Sequence, residues 1–212
     1  MKNLFLIRHG KSSSNSMKNK DEGLPDNKVY LTEIGKQQAK EAGIFLKDYF
    51  ENNALDYDSS IMFNSPFVRT RETSDIINEI LDIKTKKEDP LLIEHQYGLF
   101  SDTDWKITKQ KHPEFFEYYN NFYHNDGKFY VRFPMGESGL DVYVRTYLFL
   151  DRINKHYNDY ENILVVTHGN VIKTFFMNLL DYSPEWFSHE KPINNCAIEL
   201  IDEEKKIKIL RK

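Results

Sequence analysis

Short apolar runs alternate with longer stretches in which apolar side chains recur every three or four residues, the pattern of strands alternating with amphipathic helices. Leu4-Phe5-Leu6-Ile7 is an unbroken apolar run of the kind a strand buried on both faces requires, and it stops abruptly at Arg8-His9-Gly10. Ser60 to Asn64 repeats that form, and Ile163 to Thr167 is the best strand in the chain. Thr32 is suited to cap a helix running through Phe50, with Ile34, Ala42, Phe45, Leu46 and Tyr49 near one face. Ser65-Pro66 opens the next helix, because proline fits a first helical turn, and Arg69 and Thr73 then lie one turn apart on one face. Gly136-Glu137-Ser138 punctuates before a helix from about Leu140 to Tyr157, and His168-Gly169-Asn170 feeds a last one through about Leu180. The tail, Ala197 to Ile201 and Ile207 to Leu210 around a charged turn, reads as a hairpin at a sheet edge.

Two stretches interrupt the alternation. Lys11 to Asn27 is polar and contains Gly23 and Pro25, so it is expected to form a loop wrapping over the end of the first strand. Leu91 to Pro134 includes Phe115, Phe116, Tyr118, Tyr119, Phe122 and Tyr123, read as an amphipathic helix in an insertion, near residues 95 to 135, packed beside the main sheet. No repeat, linker or low-complexity tract divides the chain, so residues 1 to 212 are expected to form one domain.

Composition narrows the partners. With 29 Lys and Arg against 33 Asp and Glu, the net charge of -4 supplies no global basic field for nucleic acid or an anionic membrane, so any anion site must be local. The single cysteine, Cys196, has no internal disulfide partner, and no apolar run approaches the roughly 20 residues that span a bilayer. The first residues are too short for a signal-peptide core, so a soluble cytoplasmic protein is the expectation. His95, His112, His124, His156 and His189 have neither ligand spacing nor cysteine partners, so no metal is expected. Ser138 lacks the Gly-x-Ser-x-Gly elbow of a hydrolase serine, because position 140 is Leu. The aromatic stretch lacks the accompanying basic residues of a base-stacking platform and reads as packing.

Chemistry enters with two strands that end in His-Gly. A β-α-β pattern puts the carboxyl ends of parallel strands on one edge of a sheet, where open α/β folds keep their ligands. His9 and His168 are thereby able to meet although 159 positions separate them, and Arg8 and Arg69 would make the pocket cationic. A lone histidine on a strand is usually structural; two in the same context point to a site.

Arg8-His9-Gly10 with Ser12 and Asn15 resembles the RHGx(S/T)xxN opening of the histidine phosphatase superfamily, the phosphoglycerate mutase-like family. Ser65-Pro66-Phe67-Val68-Arg69 followed by Thr73 is similar to its second signature, SPxxR. Glu94 to Gly98 resembles its ExxxG segment, Gly136-Glu137-Ser138 its GES element, and Thr167-His168-Gly169 its second histidine. Leu31 to Gly35 resembles the LTxxG helix opening of the wider family. The resemblance implies a three-layer α/β/α sandwich with a mostly parallel sheet, and catalysis through a phosphohistidine with no cofactor. It implies His9 as nucleophile, Arg8, Arg69 and His168 as holders of the phosphoryl group, and Glu94 as proton donor. It also implies phosphate contacts from Asn15, Ser12 and the backbone N–H of Asn170. Fixed guanidinium and imidazolium donors suit a transition state whose charge spreads over three oxygens. His9 must be neutral to attack, His168 works best as a cation, and Glu94 must carry a proton.

Departures from the pattern bear on the activity. The cofactor-dependent mutases of this family commonly carry Glu after RHG and lack Pro in the second signature, whereas this chain has Lys11 and Pro66 and no matching arginine pair in the insertion. Phe129 to Ser138 resembles an FxxRFPxGES variant of a phosphatase-like branch. The resulting expectation is a metal-independent phosphatase acting on a small phosphate monoester. The alternatives are a phosphoglycerate mutase and a noncatalytic phosphate-binding protein. Lys11 and Arg132 are open between reading a second anionic group and pairing structurally, and the sequence sets neither the natural substrate nor the oligomeric state.

Overall fold

The computed structural model describes residues 3–13, 24–101 and 105–212. Six strands form one mixed sheet in the order β3-β2-β4-β1-β5-β6. Their ranges are β1 Asn3–Arg8, β2 Ser60–Asn64, β3 Thr85–Glu88, β4 Asn162–Thr167, β5 Ile198–Asp202 and β6 Ile207–Arg211. The first four run parallel, and β5 and β6 return antiparallel as the expected hairpin, with β6 at the edge.

Strand periodicity decides which helix lies on which face. Phe5 and Ile7 of β1 face α1 (Glu33–Asn52) and α2 (Val68–Leu81), packing with Ala42, Leu46, Phe50 and Ile77. Leu4 and Leu6 face the other way, onto Val142 and Phe149 of α5 (Gly139–His156) and Ile172 and Phe175 of α6 (Gly169–Leu180). The result is the three-layer α/β/α sandwich expected. Between β3 and α5 the chain forms α3 (Trp105–Lys111) and α4 (Pro113–Tyr130), the helical insertion; α7 (Pro184–His189) follows α6.

Local chemistry explains most boundaries. Thr32 caps α1 by accepting the Gly35 N–H at 3.1 Å, and Ser138 and Asp141 form a reciprocal capping box on α5. The second helix starts later than Ser65-Pro66 suggests: the Ser65 N–H is committed to the Val166 carbonyl at 3.1 Å, and Phe67 is the extended cap residue. The sequence pattern missed β3 because its four residues, Thr-Lys-Lys-Glu, carry no apolar side chain. Such a charged edge strand discourages further pairing.

Two contacts hold the segments that bear the site. Gly10 and Gly35 bring the turn after β1 against the first turn of α1: a Cβ on Gly35 would sit 2.0 Å from the Lys11 carbonyl oxygen, and one on Gly10 would sit 2.4 Å from the Gly35 oxygen. On the opposite side, the Glu137 carboxylate receives Arg145 Nε at 3.0 Å and Nη2 at 3.2 Å and accepts the Gln96 N–H at 3.0 Å. Arg145 Nη1 also reaches the Leu91 carbonyl at 2.7 Å, so one buried ion pair ties both flanks of residue 94 to α5.

Gly35→Ala is expected to lower the free energy of unfolding by about 3 kcal/mol, because backbone atoms have to move to admit the methyl group, as denaturant titration would read. Arg145→Met leaves the Glu137 carboxylate without its partner and is expected to cost about 3 kcal/mol. An unchanged denaturation midpoint in either variant contradicts the corresponding contact.

Candidate active site

The parallel register of β1 and β4 pairs Arg8 with Thr167, so both strands end at the same level. The next residue on each is a histidine. The rings of His9 and His168 have centroids 5.2 Å apart and cross at 65°. They sit at one end of a cleft of about 500 Å³ whose wall includes Arg8, His9, Arg69, Glu94 and Asn170, with His168 fully buried beside His9.

Hydrogen bonding sets the form of His9. Its Nδ1 lies 2.8 Å from the Gly10 carbonyl, which only accepts, so Nδ1 carries the proton and Nε2 keeps its lone pair. Burial, then the guanidiniums of Arg69 and Arg8, push its pKa well below the ordinary imidazole value, which keeps the ring neutral. A linked pair of hydrogen bonds joins this arm to α2: the Gly10 N–H donates to Thr73 Oγ1 at 3.1 Å, and the Thr73 hydroxyl donates to the Arg69 carbonyl at 2.7 Å.

His168 Nε2 lies 2.9 Å from Ser65 Oγ, while its Nδ1 is buried with no hydrogen-bond partner among the described residues. Burial, then Arg69, His9, Arg145 and Arg8, also push its pKa well below normal. The protein's own groups therefore hold His168 neutral, in contrast to the cation expected from its role. Only an incoming anion would favour the charged form.

Arg69 is almost wholly buried. Its Nη1 donates to the Asp26 carbonyl at 2.6 Å and to Oδ1 at 2.9 Å, its Nη2 donates to Oδ2 at 3.2 Å, and its Nε has no partner among the described residues. Arg8 donates through Nη1 to the Ile193 carbonyl, and its Nε, near Gly169, is likewise unpartnered among them. Buried nitrogens of this kind are nearly always satisfied in folded proteins. Three of them, Arg8 Nε, Arg69 Nε and His168 Nδ1, belong to the groups around His9; the two guanidinium nitrogens are suited to a negative oxygen, and the imidazole nitrogen is suited to one when it carries a proton. The N-terminus of α6 adds to this field, since its cap residue His168 makes no side-chain capping bond.

Glu94 supplies the only carboxylate that the sequence singled out here. Burial raises its pKa above the usual carboxylate range, outweighing the His95 N–H that donates to Oε1 at 2.9 Å and the fields of Arg69, Arg8 and Arg145. Asn170 lines the cleft and donates through Nδ2 to the Tyr97 hydroxyl at 2.7 Å.

The remaining sequence candidates lie elsewhere. Arg132 takes the structural pairing that the sequence left open beside anion reading: its exposed guanidinium pairs with Asp141 at the start of α5, and it is not among the described residues lining the cleft. Lys11 uses its main chain to brace α1, donating to Gln38 Oε1 at 2.9 Å and accepting the Thr32 N–H at 2.9 Å, and it is not among the described residues lining the cleft. Ser12 is fully buried, bridged to Leu31, and is also absent from that wall. Asn15 lies outside the described residues. Conversely, sequence reasoning missed Asp26, Tyr97, Lys128 and Lys173, all of which line the cleft. Lys173 had a signal: it is the one charged residue in the apolar helix Gly169–Leu180. Among the described residues no cluster of three or more His, Cys, Asp or Glu is placed to hold a metal ion, and no helix is long and apolar enough to cross a membrane.

The geometry agrees with what comparison shows. The chain is similar to the phosphoglycerate mutase-like protein AT74H of Arabidopsis thaliana, with 27% identity over 95% of this chain and 74% of that protein. It is similar to the broad-range acid phosphatase DET1 of Saccharomyces cerevisiae, 24% identical over 94% of this chain and 84% of that protein. It is also similar to the 2,3-bisphosphoglycerate-dependent phosphoglycerate mutase of Nitrobacter winogradskyi, 33% identical over 86% of this chain and 83% of that protein. Among solved structures, the alpha-ribazole phosphatase of Shigella flexneri shares the fold, with a TM-score of 0.77, 23% identity and coverage of 99% of this chain and 96% of that one. The family model for the histidine phosphatase superfamily (branch 1) matches residues 4–211, the stretch that carries both paired histidines and every element of the sheet, and the chain belongs to that superfamily.

Proposed function

We propose that this protein hydrolyses a small phosphate monoester through a phosphohistidine on His9. One observation carries the reading: a neutral imidazole with its lone pair held on Nε2, surrounded by groups with three unpartnered buried nitrogens. The phosphoryl oxygens take the place of the missing acceptors at Arg8, Arg69 and His168. His9 Nε2 attacks phosphorus as the bond to the leaving oxygen breaks, and the Glu94 carboxyl gives its proton to that oxygen. In the second half, Glu94 as carboxylate takes a proton from water while the water oxygen attacks the phosphohistidine. Inorganic phosphate leaves and both groups return to their starting forms.

Asp26 has a part in this scheme. Its carboxylate occupies the two terminal nitrogens of Arg69 much as a phosphate would, so it either competes with the substrate or leaves Nε as the contact. A mutase is the second reading, supported by the similarity to the N. winogradskyi enzyme. The two differ in the acceptor, water or a bound phosphoglycerate. Phosphate release from 3-phosphoglycerate without isomerisation to 2-phosphoglycerate supports the hydrolase; isomerisation without release replaces it.

His9→Ala is expected to remove the acid-labile phosphoenzyme and to lower turnover by about 1,000-fold or more, measured by phosphate release with chelator present. Glu94→Gln is expected to slow turnover by about 100-fold or more while inorganic phosphate still binds. The pH profile follows from the two shifts. His9, its pKa lowered, becomes protonated and inactive only well below the ordinary imidazole value; Glu94, its pKa raised, stays protonated above the usual carboxylate range and loses its proton as pH rises further. Plots of kcat/KM are therefore expected to fall as pH rises through the raised Glu94 pKa, with that fall absent in Glu94→Gln; an alkaline limb that survives unchanged in Glu94→Gln contradicts the Glu94 assignment.

A further inference from the structure

We propose that Lys173, assisted by Lys128, forms a second anion subsite in the cleft, so that the substrate is a phosphate monoester carrying another negative group. This deepens the hydrolase reading and rests on it for the position of the first phosphoryl group. Lys173 is 3% exposed. Its ammonium has three donors, and the structure accounts for one: a hydrogen bond of 2.6 Å to the Glu190 carbonyl. The Phe187 ring lies 5.8 Å away, and among the described residues no carboxylate forms an ion pair with it. A buried cation without a counter-charge is costly, and folded proteins retain one where function supplies the partner.

Placement supports the same conclusion. Lys173 stands four residues after Gly169 on α6, and both line the cleft, so its Cα lies about 6 Å farther along the helix axis than the backbone beside Arg8. The phosphoryl cluster sits at the strand ends; Lys173 sits about one turn along α6 from them. Lys128 lines the same wall, delivered there by Gly127, whose φ of 77° breaks the helical path of α4. The two cations sense each other: burial and then Lys128 push the Lys173 pKa down to about 8, against the opposing fields of Glu190 and Glu94. A tether to a carbonyl alone needs only a neutral donor. Two cations converging on a cleft wall beside a phosphate pocket fit a carboxylate or a second phosphate.

Two matched pairs test this: 3-phosphoglycerate against glycerol 3-phosphate, which differ by a carboxylate, and fructose 1,6-bisphosphate against fructose 6-phosphate, which differ by a phosphate. The wild-type protein is expected to favour the more anionic member of at least one pair by about tenfold or more in kcat/KM, mainly through KM. The pair showing the preference identifies the second group. In Lys173→Met that preference should collapse, while Lys173→Arg should keep most of it and Lys128→Met should weaken it. Equal treatment of both pairs by the wild type, or a preference that survives Lys173→Met, overturns the subsite. Should Lys173→Met fail to fold, Lys128→Met decides, and an undiminished preference there overturns it. Calorimetric titration of His9→Ala with each pair separates this proposal from the reaction itself. Selective binding with no turnover in the wild type keeps the subsite and removes the hydrolase, whereas turnover without selective binding does the reverse.

Discussion

The parallel pairing of β1 with β4 is the constraint from which the rest of the site follows. Because the two central strands end in register, Arg8 beside Thr167, the residues after them emerge side by side, and both are histidines. A shift of one residue in that register would turn each strand's inner and outer faces over, so the same packing that buries Leu4, Leu6, Ile163 and Val165 on one face and Phe5, Ile7, Leu164 and Val166 on the other also fixes the separation of the two imidazoles. The hydrophobic core thus acts as a gauge for the chemistry.

On that frame the protein assembles more positive charge than its own carboxylates satisfy locally. Arg8, Arg69, Lys128 and Lys173 line one cleft against Asp26, Glu94 and Glu190, and Glu94 is biased toward its neutral form. The overall charge of -4 hides this entirely. Burial has opposite consequences for the two kinds of group: it drives the imidazoles to neutrality and the carboxyl to its protonated form. In the proposed hydrolysis, a neutral His9 is the form that attack needs and a protonated Glu94 is the form that protonation of a leaving oxygen needs. One physical cause, removal from water, thus acts on Glu94 and His9 together, in the direction the proposed hydrolysis needs.

The GES element shows how a motif can matter without lining the cleft. Glu137 spends its carboxylate on Arg145 and the Gln96 N–H, and Ser138 spends its hydroxyl in the cap of α5. Glu137 reaches toward the cleft through the Gln96 backbone it holds, two residues after Glu94. Asp26 is the converse case, a residue of a polar segment with no motif of its own that meets Arg69 in a bidentate pair.

By itself, the sequence determined the alternation of strands and helices, the residues that end the central strands, and the family resemblance that groups His9, Arg8, Arg69, Glu94 and His168, because apolar periodicity and local motifs are written in consecutive residues. It missed β3, whose charged residues give no periodic signal, and placed the start of α2 early, because Ser65 answers to a carbonyl on a neighbouring strand. Tertiary structure alone decided that Arg132 pairs with Asp141 away from the cleft and that Lys173 is buried with no ion pair to a carboxylate among the described residues. It also decided that Asp26 reaches across 43 positions to Arg69. Each depends on which groups from distant segments share a small volume, and that is set by how the helices pack on the two faces of the sheet, which no local stretch of sequence encodes.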